Sequence, residues 1–211
     1  MSKDTLDEPQ EPQAKFTPPR QSIWALNTRR IVMAGVLVGI TIILGLPGLN
    51  VGFIPVPNST GHATIEHLPT IIAGVLEGPV IGMITGFFFG LMSFLNAGVP
   101  LFKDPLIAFV PRILIGLTSW LAFAGLKRFN IDVAAAAAGI IGALTNSVFV
   151  IGFGIVRGLF PAALIPLVIP QALIEMVVAA ILTVLIARAF YIVQGRVVRA
   201  PDKKSRDQLP Y

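Results

Sequence analysis

The sequence predicts an all-α integral membrane protein with six transmembrane helices, the second of them short, between disordered polar tails. Three observations carry this. Hydrophobic residues make up 55% of the 211 positions and charged residues only 13%, whereas a soluble domain clothes its surface with about 25% charged residues. Apolar runs of near-spanning length alternate with short Pro- and Gly-punctuated loops. The basic residues gather on one set of run ends.

The chain divides into a cytoplasmic tail over 1–28, a six-helix membrane domain over 29–195 and a second cytoplasmic tail over 196–211. The first tail is polar, mixed in charge and proline-rich, without the apolar core of a cleavable signal peptide. A first helix is expected over 30–46, closed by Pro47-Gly48. The second, 67–76, stops at Glu77-Gly78-Pro79 and is too short to span alone, so it must be a partial or tilted crossing held by its neighbours. The remaining four run over 80–95, 105–126, 133–156 and 166–193.

Lys and Arg fix the orientation, because cytoplasmic loops are enriched in them. With both termini inside, thirteen of the sixteen lie on the inner side: Lys3, Lys15, Arg20, Arg29, Arg30, Lys127, Arg128, Arg188 and five from Arg196 onward. Lys103 and Arg157 lie outside, and Arg112 falls within a span. The net charge of +5 is therefore membrane-flanking charge and not a nucleic-acid face. This topology places a multi-pass protein in the plasma membrane, with the segments 49–66, 96–104 and 158–165 outside.

The absence of cysteine excludes disulfides and thiolate metal sites. The only histidines, His62 and His67, flank Ala-Thr-Ile-Glu66 in a spacing that matches neither HExxH nor HxxEH, so no metal is expected. Gly-Lys never occurs, which excludes a Walker A loop, and GxSxG is also absent. No catalytic residue is assigned.

Polar groups inside spans cost about 2.5–3.5 kcal/mol each when charged, so they face the bundle interior. These are Arg112 after Pro111, Asn146, and Gln171 and Glu175 four apart on one face. At 1.5 Å per residue, Arg112 lies roughly 10 Å and Glu175 roughly 14 Å below the outer helix ends, and Asn146 is near the midplane. With His67 at a helix start and Asn96 at the start of an outer segment, they form a candidate substrate-binding set around a wet hollow in the outer half. Bland readings stand beside this one: a buried Arg112–Glu175 pair that locks two helices, interhelical hydrogen bonds for Asn146 and Gln171, an interfacial loop contact for His62.

Small residues at Ala34, Gly35 and Gly39, and at Gly82, Gly86 and Gly90, are spaced by about one turn, which lets a helix backbone approach. Internal packing and partner docking both fit such spacing.

The order of these features is similar to the substrate-binding membrane subunit, or S component, of energy-coupling factor vitamin transporters. The residues that carry the resemblance are the small-residue strip Ala34/Gly35/Gly39, Gly-Phe-Ile-Pro-Val-Pro over 52–57, Thr-Ile-Glu-His-Leu-Pro over 64–69, Glu77-Gly78-Pro79 with the glycine-spaced third helix, and Pro111-Arg112-Ile-Leu-Ile-Gly116. The resemblance covers about residues 28–193. It implies a small water-soluble vitamin bound in an outward-facing pocket roofed by the first external loop and the loop before the sixth helix. It further implies a transmembrane coupling subunit and two cytoplasmic ATPases as partners, so ATP is used by them and no cofactor by this chain. Docking would fall on Ala34, Gly35 and Gly39. Val38 departs from the small-residue pattern after Ala34, leaving only Gly35/Gly39 small at both ends.

Pantothenate, pyridoxine-like compounds, hydroxymethylpyrimidine, folate, riboflavin and cobalamin are all carried by subgroups with this resemblance. Arg112, a fork of donors suited to carboxylate or phosphate, leans toward pantothenate or folate. Two rival functions remain: a stand-alone proton-coupled carrier or facilitator using Glu175, and a membrane-embedded hydrolase using Glu66 and His67.

Overall fold

A computed structural model describes residues 26, 28–46, 53–55, 62–96 and 100–198. Six helices account for most of them: α1 (Thr28–Leu44), α2 (Leu68–Glu77), α3 (Pro79–Leu95), α4 (Pro105–Leu126), α5 (Ile131–Val156) and α6 (Ile165–Val198). Most of the expected tails, 1–28 and 196–211, and most of the first loop lie outside the described residues. Three helices, α4, α5 and α6, are long and apolar enough to cross a membrane. At 1.5 Å per residue, α1 and α3 measure ~26 Å and α2 only ~15 Å. Lipid-facing character is plain on α6, where Leu173, Val177, Ile181 and Leu185 repeat every four residues and are all more than half exposed.

One feature departs from the all-helical expectation. β1 (Phe53–Pro55) and β2 (His62–Thr64) pair antiparallel, with Phe53 opposite Thr64 and Pro55 opposite His62. The prolines around β1 mask it in the sequence. Pro55 lacks an N–H, and this is tolerated because it sits at the end of a ribbon only three residues long.

Caps set the helix starts. Asp104 accepts the Leu106 amide at 2.9 Å ahead of Pro105, and Asn130 accepts the Asp132 and Val133 amides at 2.7 and 3.1 Å. α5 thus begins two residues before the expected position, because Asp132 is a first-turn acid favoured by the helix dipole and not a loop charge. α6 runs on to Val198, past the expected 193.

The second helix is the centre of the bundle. Nine of its ten residues are buried, and it touches every other helix. A helix buried all round needs close neighbours, and glycines supply them. A Cβ on Gly74 would meet the Gly116 carbonyl oxygen at 2.5 Å, and one on Gly82 would meet Gly116 Cα at 3.0 Å. Gly86 faces the Arg112 backbone, and Gly90 the Ala108 carbonyl oxygen at 2.8 Å. The stripe on α3 is therefore internal packing against α4. Together α2, α3 and α4 form one block joined backbone to backbone.

The small residues of α1 divide. Ala34 packs inward with Leu37, Leu68 and Ile72, whereas a Cβ on Gly35 or Gly39 would meet nothing within 4 Å. Gly35 and Gly39 share their open face with Val32, Val36 and Ile43, each more than half exposed.

Candidate functional site

The polar site grows from a proline. Pro111 has no N–H to give the Ile107 carbonyl one turn earlier, leaving a buried acceptor in α4. Arg112 Nη1 fills it, donating to the Ile107 oxygen at 2.7 Å. This bond folds the guanidinium toward the end of the bundle that carries the β1–β2 hairpin. There it lies 5.3 Å from the Phe89 ring centroid and 4.8 Å from that of Phe102, positions in which aromatic faces attract a cation. Arg112 is 3% exposed, and its Nε has no hydrogen-bond partner among the described residues.

On α6 the i, i+4 pair behaves as its spacing requires. Gln171 Nε2 donates to Glu175 Oε1 at 3.1 Å. The same oxygen accepts the Thr64 backbone amide at 2.9 Å, so Glu175 ties β2 to α6. The Glu66 amide donates to Thr64 Oγ1 at 3.1 Å, closing the turn that leads into α2.

Glu66 lies in that turn, outside the helices. Burial pushes its carboxyl up to about 7; Arg112 opposes the shift and Glu175 adds to it. His67, at the same turn, is 1% exposed. Neither of its ring nitrogens has a hydrogen-bond partner among the described residues.

The structure therefore brings His67, Arg112 and Glu175 into one buried electrostatic neighbourhood with Glu66, and attaches Gln171 and Thr64 to it. No Arg112–carboxylate ion pair within 4 Å occurs among the described residues; the aromatic sandwich and the Ile107 carbonyl hold the guanidinium instead. Asn146 sits on α5 with its Oδ1 buried and unpartnered. It makes no described hydrogen bond to the others. Asn96 stands apart: it is exposed at the end of α3, and its Nδ2 donates to the Gly45 carbonyl at 2.5 Å, tying α3 to the end of α1. His62 lies in β2.

Phe89, Phe102 and Glu66 are the site residues the sequence reading did not select. Phe89 is the last of three consecutive phenylalanines on α3, Phe87 to Phe89, with nothing to mark it among its neighbours. Glu66 had a signal, being beside His67. The Thr118–Thr145 hydroxyl contact at 2.9 Å, which joins α4 to α5, had none.

The residues expected around a wet hollow are buried: His67, Arg112 and Glu175 are each at most 5% exposed. A groove of about 570 Å³ lies at the opposite end, lined by Lys127, Phe129, Asn130, Asp132, Arg188 and Tyr191. It contains the Arg188–Asp132 ion pair at 3.6 Å and no member of the polar cluster.

Each buried, unpaired polar atom costs about 1–3 kcal/mol, so the unpartnered atoms of His67, Arg112 and Asn146 are an expense within this apolar bundle. Residues 29–187 match the family described as ECF transporter, substrate-specific component, and the chain belongs to that family. Its members are transporter subunits and not enzymes, which removes the hydrolase reading. The chain is also similar to the pantothenate transporter PanT of Leuconostoc mesenteroides subsp. mesenteroides, 34% identical over 128 residues, covering 50% of this chain and 61% of that protein. It thus spans less than two thirds of that relative's length.

Proposed function

We propose that this chain captures pantothenate at the outer face of the plasma membrane and delivers it inward with a transmembrane coupling subunit and two cytoplasmic ATPases. The observation that carries the reading is Arg112: a buried guanidinium held between two rings, whose Nε has no hydrogen-bond partner and which forms no ion pair with a carboxylate among the described residues. Pantothenate offers the complement. Its carboxylate suits the guanidinium fork, and its hydroxyl and amide donors suit the unpartnered Asn146 Oδ1 and a His67 nitrogen. Gln171 and Glu175 complete the set, and Asn96 serves the rim. The similarity to a pantothenate transporter favours this vitamin over folate.

In this reading all six helices lie within the bilayer, α2 as a short tilted piece, with both termini cytoplasmic and the hairpin outside. The Glu175–Thr64 bond latches the hairpin over the site. The open Gly35/Gly39 face of α1, flanked by Ala34, receives the coupling subunit. ATP is consumed by the partners, and the chain itself needs no cofactor.

Calorimetry with the detergent-purified chain tests the substrate: saturable pantothenate binding is expected, with folate inert. Uptake by vesicles holding this chain alone, driven by a proton gradient and lost in Glu175→Gln, would instead establish a carrier.

Glu66 gives the binding a pH signature. A bound carboxylate adds negative charge near it and so favours its protonated form. Affinity should fall as pH rises through about 7, by at most about tenfold per pH unit because one proton is linked. Glu66→Gln should bind with nearly constant affinity from pH 6 to 8; a wild-type curve just as flat would remove Glu66 from the site.

A further inference from the structure

A buried acid lies far from the site, at the other end of α2. Glu77 ends α2, and its side chain is 4% exposed. Arg29 Nη2 lies 3.3 Å from its Oε1, Arg30 Nε lies 4.0 Å from its Oε2, and Arg30 also donates to the Glu77 main-chain carbonyl. The Arg29 guanidinium rests 5.5 Å from the centroid of the Phe190 ring on α6.

We infer that Glu77 is a positioning residue for transport: its clasp with Arg29 and Arg30 fastens α1 to the α2–α3 turn, so that force applied to α1 reaches the helices holding the substrate. The inference rests on the proposed docking of a coupling subunit to α1. Apolar packing alone holds α1 poorly, since Leu37 and Thr41 are its only buried residues among those described, and lipid gives helices no hydrophobic reason to associate. At the hairpin end its tie is the exposed Asn96–Gly45 bond. At the other end Glu77 is the buried anchor. From Glu77, α2 runs to His67; Gly74 locks it to Gly116 of α4, which carries Arg112, and Gly82 of α3 packs against both glycines. A pull on Gly35/Gly39 therefore moves the site as a body only while α1 is fastened to this block. Without the clasp, α1 would peel away from it.

The test uses the full chain reconstituted with its coupling subunit and ATPases. Glu77→Gln, and separately the double change Arg29→Gln and Arg30→Gln, should leave pantothenate affinity of the isolated chain within about twofold and retain copurification, yet cut ATP-driven uptake by about tenfold or more. Glu77→Asp, which keeps the charge, should recover most of the uptake. Because the chain has no cysteine, spin labels at Ile31→Cys on α1 and Leu121→Cys on α4 report the joint without reference to any substrate. Their distance should stay narrow during ATP turnover in the otherwise wild-type chain and broaden in Glu77→Gln. Undiminished uptake, or binding and uptake falling together with thermal stability, overturns the inference, as does an unchanged distance distribution. Failure of the wild type to bind pantothenate defeats the substrate assignment alone, since the label distances still decide the clasp.

Discussion

Arg112→Ala should weaken pantothenate binding at least about a hundredfold, because it removes the only described cation of the site. Hydrogen bonds to charged groups are worth about 1.5–3 kcal/mol each, and loss of one partner of a buried charge pair costs about 3–5 kcal/mol. At about 1.4 kcal/mol per decade the first figure is roughly one to two orders of magnitude in Kd and the second roughly two to three and a half, so loss of the charge partner sets the hundredfold floor. The same substitution exposes a second role. Ile107 loses the donor that replaces the missing Pro111 amide, so the variant should also melt earlier, by an amount set by about 1–3 kcal/mol for one orphaned acceptor. Arg112→Lys separates the two effects. It keeps a charge but loses the planar fork and its stacking between Phe89 and Phe102, and should bind more weakly than wild type and more tightly than alanine. Calorimetry on the folded fraction gives the affinities. An Arg112→Ala protein that melts earlier but binds unchanged would confine Arg112 to repairing the helix.

What the sequence made visible followed from local rules. The positions of α2, α3 and α4 were legible because Pro and Gly mark their ends and because hydrocarbon enforces helix between those marks. The Gln171–Glu175 pair was legible because residues four apart share a helix face. Arg112 and Glu175 stood out because charge is rare in spans, but their separation was not legible. The assumption that opposite charges meet ignores the orphaned Ile107 carbonyl and two aromatic faces, all set by tertiary packing. Phe89 shows the same limit from the other side. Its role depends on a neighbour contributed by α4, and in sequence it is one phenylalanine among fourteen. The hairpin was hidden because three-residue strands beside prolines carry too little alternation to read.

Two glycine stripes that look alike in sequence should fail in opposite ways. At Gly86 a side chain would overlap the Arg112 carbonyl and approach Ile113 Cα at 3.0 Å. These are backbone atoms in a helix, which cannot rotate aside as a side chain can. Gly86→Leu must therefore force α3 and α4 apart, and overpacking of this kind costs about 1–3 kcal/mol or more. It should abolish a monodisperse, pantothenate-binding protein. At Gly39 a side chain meets nothing within 4 Å. Gly39→Leu should leave the melting temperature and pantothenate affinity close to wild type, because the new leucine joins an apolar face already carrying Val32, Val36 and Ile43. Copurification with the coupling subunit should vanish, since a leucine fills the place where a partner helix would bring its backbone against α1. Size-exclusion profiles, calorimetry and pull-down of the coupling subunit separate the outcomes. A Gly39→Leu chain that still copurifies would move the docking surface off α1, and with it the route by which force reaches the Glu77 clasp.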